Sequence, residues 1–146
     1  MKIKEETKVV KTTVYVADDG EKFATERECR RYEEKIALKK SIEVAEKLRI
    51  EELDEQLPLV CGEMSENNTF RWYKINNREE FDILCEACKE QFEYPDCYPE
   101  IICVETVGYR AYDDECYIYY LSGLKRMAEE FYKRLGYKVT FEKVGD

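Results

Sequence analysis

Four of the chain's seven cysteines fall within nineteen residues, in the stretch CEACKEQFEYPDCYPEIIC from Cys85 to Cys103. Thiolates this dense suit a zinc ion, and the CxxC pair that opens the stretch suits dithiol–disulfide chemistry. Zinc requires Cys85, Cys88, Cys97 and Cys103 to converge. Their spacing, C-x2-C-x8-C-x5-C, is not that of a common knuckle or ribbon, and no Gly follows either half to make the tight turns such knuckles use. A redox CxxC sits at a helix N-terminus, where the thiolate is stabilised. Here the pair falls in the middle of a helical pattern: Phe81, Leu84, Cys85, Cys88 and Phe92 follow i, i+3, i+4, i+7, i+11 and form one apolar stripe. Cys103 lies in the strand-like run IICVET. The spacing therefore predicts buried free thiols, with the zinc set left as the alternative reading.

The outward side of that helix carries the more chemical pattern. Glu79, Asp82, Glu86, Glu90 and Glu93 follow one another at 3, 4, 4 and 3 residues, and Asp113-Asp114-Glu115 adds a second acidic patch. Three consecutive acids at a turn suit a hard cation, but a solvated tip is the expectation. Between residues 78 and 115 three basic residues face twelve acids, an excess that equals the chain's net charge of −9. Carboxylates about 5–6 Å apart along a helix can meet Lys and Arg roughly as successive phosphates do. Such a surface repels nucleic acid and anionic membranes, and attracts a basic protein. A solvated helix face is the plain alternative.

The chain has no histidine, which removes Ser-His-Asp and Cys-His nucleophile systems and every His-containing metal site. No glycine-rich phosphate loop is present among its six glycines. No catalytic residue, metal or cofactor is expected. The longest apolar run is too short for a bilayer, the N-terminus lacks a signal-peptide core, and free thiols fit a reducing compartment. The expected location is a cytoplasm.

The elements that must hold these groups divide into residues 1–57 and 58–146. In the first, TKVVKTTVYVA reads as a strand, Asp18-Asp19-Gly20 as a turn and Glu21-Lys22-Phe23 as a short return. Thr25 with Glu28 forms a capping box, and a helix then runs to about Gln56 before Pro58. Its thin apolar stripe, Cys29, Tyr32 and Ile36 continuing through Leu38, Ile42 and Ala45, must dock on the second unit or on another subunit, which makes a homodimer through the 25–56 helix an expected partner. In the second unit, strands at 70–75, 101–109, 116–121 and 138–143 alternate with helices at 77–92 and 122–135, the latter closed by Gly136. That order is β-α-β-β-α-β. The fold class is therefore α+β, an N-terminal hairpin and long helix followed by a ferredoxin-like unit with both helices on one face of a four-stranded antiparallel sheet.

VYVADDGEKFATERECRRYE resembles the hairpin-plus-helix opening of small acidic accessory proteins of Firmicutes phages, and WYKINNREEFDIL, YPEIICVE and LSGLKRMAEEFYKRLGYKV resemble the second half of such proteins. The resemblance implies a non-enzymatic inhibitor of the anti-CRISPR or anti-defence type, binding a host nuclease or complex. Glu79, Asp82, Glu86, Glu90, Glu93, Asp113, Asp114 and Glu115 are the candidate contact residues. A different class of function, sequestration of a nucleotide signal, would draw on Arg71, Trp72, Tyr73, Arg110 and Tyr119.

Overall fold

The structure is a computed structural model that describes residues 1–54, 56–58, 68–107 and 115–145. Two compact units emerge, Met1–Lys39 and Lys40–Asp146, so the division falls inside the long helix and not at 57/58. In the first unit, strands β1 (Tyr15–Val16) and β2 (Lys22–Phe23) pair antiparallel. Gly20 has φ 93°, a conformation its neighbours would adopt only under strain, and Ala17 N–H closes the turn on Glu21 O at 2.8 Å. The expected strand over 7–17 shrinks to two residues because only Lys22–Phe23 is there to pair with it. Helix α1 (Glu26–Lys47) begins with the anticipated capping box: Glu28 N–H donates to Thr25 Oγ1, and Thr25 N–H to the Glu28 carboxylate, both at 3.2 Å.

α1 stops well short of Gln56. Beyond Lys47 the chain extends along strand β3 (Thr69–Ile75), where Ile50 N–H donates to Trp72 O at 2.7 Å and Lys74 N–H to Leu48 O at 2.9 Å. A 3-10 turn, Glu51–Leu53, follows. Arg49 clasps this reversal, bonding Glu46 at 2.8 Å and Asp54 at 3.0 Å. Extension wins over helix here because it packs Leu48, Ile50 and Leu53 on the core while the β3 edge takes over the backbone hydrogen bonds.

The second unit continues through helix α2 (Arg78–Cys88), strand β4 (Glu100–Val107), strand β5 (Glu115–Tyr120) and helix α3 (Leu121–Arg134). The sheet is antiparallel in the order β3-β4-β5, with Trp72, Cys103 and Tyr119 in one cross-strand row. The β-α-β-β-α succession is as expected. Residues 138–143 are not a strand, however, and the sequential strand order does not bring the first and third strands side by side as a split βαβ does. Nor do the helices share a face. Phe81, Leu84 and Cys85 of α2 pack with Tyr73, Ile75, Ile102 and Val104, whereas Leu124 of α3 packs with Phe70, Trp72 and Cys103 on the other side. Strand alternation makes both faces of β4 apolar, so each needs its own cover.

α3 lacks a local cap, since the side chain of Tyr120 makes no capping bond. The buried carboxylate of Glu100 serves instead, accepting from Ser122 N–H at 3.3 Å and from the Ser122 hydroxyl. Gly136, with φ 85°, closes the other end as anticipated.

The Arg49 clasp makes a pH-dependent contribution. Its hydrogen bonds hold the Asp54 carboxyl below its usual pKa of 3.8, so the stabilisation is complete above that value and is lost as pH falls through the lowered one. Asp54→Asn is expected to lower stability near neutral pH, where the ion pair with Arg49 is intact. In urea titrations at successive pH values the gap from the parent should close only below the ordinary carboxylate range, and a constant gap would show that the ion pair is not its source.

Candidate functional site

α2 owes its start to Asn77, whose side chain accepts from Glu80 N–H at 2.9 Å, while the Glu80 carboxylate accepts from Asn76 N–H at 2.7 Å. It ends one turn earlier than its apolar stripe suggests. Lys89 takes the left-handed conformation, φ 55°, and its N–H bonds the carbonyls of Cys85 and Glu86. Glu90 and Glu93 are therefore off the helix, on a strap that turns back over it, and the five-acid stripe is reduced on α2 to Glu79, Asp82 and Glu86. Tyr94 fixes the strap. Its ring lies 5.4 Å from that of Phe81 and 4.3 Å from the Arg78 guanidinium carbon, and its hydroxyl donates to Asp82 Oδ1 at 2.9 Å. The Tyr120 hydroxyl adds a bond to Glu93 O.

Helix and strap enclose a groove of about 440 Å³ lined by Phe81, Asp82, Cys85, Glu86, Lys89, Glu90, Gln91, Phe92 and Tyr94. Three expected acids, Asp82, Glu86 and Glu90, meet there beside three aromatic rings, with Lys89 the one cation among the lining residues. The three carboxylates differ in freedom. Asp82 is held by Tyr94, and Glu86 accepts from the buried Ser41 hydroxyl at 2.8 Å. The Glu90 side chain makes no hydrogen bond or ion pair among the described residues, while its N–H donates to Cys85 O at 3.1 Å. Carboxylates beside aromatic faces favour a cation, an ammonium or a guanidinium, over an anion. Glu79 and Glu93 are exposed outside the groove, and Glu115 is exposed at the start of β5, accepting from Tyr117 OH at 3.0 Å. Asp113 and Asp114 lie outside the described residues.

Three of the four cysteines from Cys85 to Cys103 pack as expected, and Cys97, expected to be buried with them, does not. Cys85 and Cys103 are buried, Cys88 is half-buried and Cys97 is exposed. Among the described residues no three His, Cys, Asp or Glu side chains are grouped to hold a metal. Burial raises the Cys85 thiol pKa; a bond to Cys116, then burial, raises that of Cys88. Both shifts disfavour the thiolate that redox chemistry needs.

Among the described residues named for nucleotide binding, Trp72 and Tyr73 are buried and not on an open face. Trp72 donates to Gln56 O at 2.8 Å, and burial pushes the Tyr73 hydroxyl up to about 12. Arg71 pairs with Glu46 at 3.2 Å, and Arg110 lies outside the described residues. Tyr119 is engaged with a residue that sequence reasoning missed. Glu105 is fully buried on β4, accepting from Tyr119 OH at 2.6 Å and Asn68 Nδ2 at 2.7 Å. With both oxygens bonded, this carboxylate ties three segments together and is poorly placed to act as a base. Nothing in IICVETV distinguishes Glu105 beforehand from an outward-facing acid.

Comparison with known family models, curated proteins and solved structures finds no match to this chain. No helix among the described residues is long and apolar enough to cross a membrane.

Two measurements check this placement. Alkylation of the native protein at about pH 8 should modify Cys97 before Cys85 and Cys103, which stay intact until denaturant is added. Rapid modification of Cys85 would contradict its burial. Tyr119→Phe should destabilise by about 1–3 kcal/mol, because a buried carboxylate oxygen loses its donor; an unchanged denaturation midpoint would place Glu105 in water.

Proposed function

We propose that this protein works without catalysis, as a phage-type inhibitor that binds a basic surface of a host defence nuclease or complex. The observation that carries this reading is the convergence of Asp82, Glu86 and Glu90 on one groove beside Phe81, Phe92 and Tyr94. A partner Lys or Arg side chain entering it would lose water against carboxylates and rest on aromatic faces, a combination that gives both charge selection and an apolar anchor. Glu79 and Glu93 extend the field beyond the groove and would speed encounter with a basic surface. Glu115 offers a separate acidic contact. The nucleic-acid-mimicking element is thus a short one, three helix acids and two strap acids, and not a five-acid helical row.

The test uses Glu79, Glu90 and Glu93, whose reversal to Lys breaks no hydrogen bond made by their own side chains among the described residues. Immobilised wild-type protein should retain a basic protein from a bacterial lysate, with retention falling as salt rises. The Glu79→Lys/Glu90→Lys/Glu93→Lys variant should retain at least about tenfold less, a loss of about 1.4 kcal/mol. Equal retention by the folded triple variant would sink the proposal.

A further inference from the structure

Two thiols from distant parts of the chain meet over the sheet. Cys88 is the last residue of α2, and Cys116 lies on β5 opposite Thr106. Both pack against the cluster of Phe81, Ile102 and Val104, they are bonded to one another, and each is half-buried rather than sealed. The sulfur that Cys88 bonds is thus on β5 and not at Cys85, its CxxC neighbour. Thr106 joins the pair, with its Oγ1 3.8 Å from Cys116 Sγ. Cys116 therefore has two neighbours able to donate to it, the Cys88 thiol and the Thr106 hydroxyl, and such hydrogen bonds favour a thiolate. Cys88 is set for the complementary part, because its bond to Cys116 and its burial keep it protonated.

We propose that Cys88 and Cys116 form a reversible disulfide when the chain meets a hydroperoxide. The Cys116 thiolate attacks the outer peroxide oxygen and the O–O bond breaks. The departing oxygen takes up the proton that Cys116 released and leaves as an alcohol, or as water where the oxidant is hydrogen peroxide. Cys116 is now a sulfenic acid, oxidised by two electrons. Cys88 then attacks Cys116 Sγ, the S–O bond breaks, and the hydroxyl leaves with the Cys88 proton as water. Two thiols and one hydroperoxide give one disulfide, one alcohol and one water, and a dithiol reductant reverses the change by exchange. The bridge needs the sulfurs about 2 Å apart. They are already in contact, and Cys88 stands at a helix end, where the backbone gives most readily. The bond fastens α2 to β5 immediately before Lys89, the residue from which the strap departs. It depends on core packing and not on what the groove binds.

The test uses the Cys97→Ser chain, which lacks the exposed thiol, treated in its folded state with hydrogen peroxide. Its intact mass should fall by two hydrogen atoms, fragment spectra should place the bridge between Cys88 and Cys116, and dithiothreitol should restore the mass. Adding Cys88→Ser or Cys116→Ser should abolish the change. In urea the oxidised chain should unfold at a higher concentration than the reduced one, because the bridge restricts the unfolded state. An unchanged mass under conditions that oxidise free cysteine overturns the proposal. So does a bridge made by Cys85 or Cys61 instead, or oxygen gain at either thiol with no bridge. A lower urea midpoint for the oxidised chain overturns it too, since the native contact would then have to break for the bond to form. Retention of a basic protein plays no part in these readouts, so the groove reading and this one fail separately.

Discussion

Strand β4 is paired on both edges and buried on both faces, and the architecture of the second unit follows from that. Ile102 and Val104 point to one side, Cys103 and Glu105 to the other, and all four are shielded from water. Each apolar side chain so buried contributes about 1.5–3 kcal/mol, provided something covers it. α2 covers the first face. Leu48 packs on that same face, and α3 with Ile50 and Leu53 covers the second. The long helix cannot continue to Gln56, because Ile50 and Leu53 belong to that second layer.

With the apolar side of α2 committed to the sheet, its acids have only the outside to occupy. Lys89 then decides their final arrangement. A left-handed Lys at the helix end costs about 1 kcal/mol more than Gly would. Tyr94 offsets that cost, with its ring against Phe81 and Arg78 and its hydroxyl on Asp82. The early helix end turns a row of charges into a concave site, since it allows Glu90 and Phe92 to fold back toward Asp82 and Glu86.

Much of this was readable in residue order, and the failures share a cause. Capping signals were local and correct: Thr25 with Glu28 opens α1, and Gly136 at positive φ closes α3. The inward turn of Cys85 and Cys88 followed from helical period alone. Errors arose where partners distant in sequence decide. Leu48–Ile50 looks helical until the edge of β3 is available, and the β-branched run before Tyr15 looks like a strand until it is seen that only two residues can pair with it. KVTFEK alternates like a strand yet takes no place in the sheet. Glu105 is the same failure in a polar residue, since its burial depends on Asn68, 37 residues away, and on Tyr119 across the ladder.

The borrowed cap of α3 bears on how that helix comes to form. A helix whose own N-cap residue is Ser, Thr, Asp or Asn gains its capping bond from a neighbour in sequence. Here the stabilising carboxylate arrives from Glu100, 22 residues from Ser122, and is in position only when β4 and β5 are in register. Closing that loop costs chain entropy before the helix gains anything from it. The start of α3 is thus tied to the pairing of β4 with β5 and not to its own flanking residues.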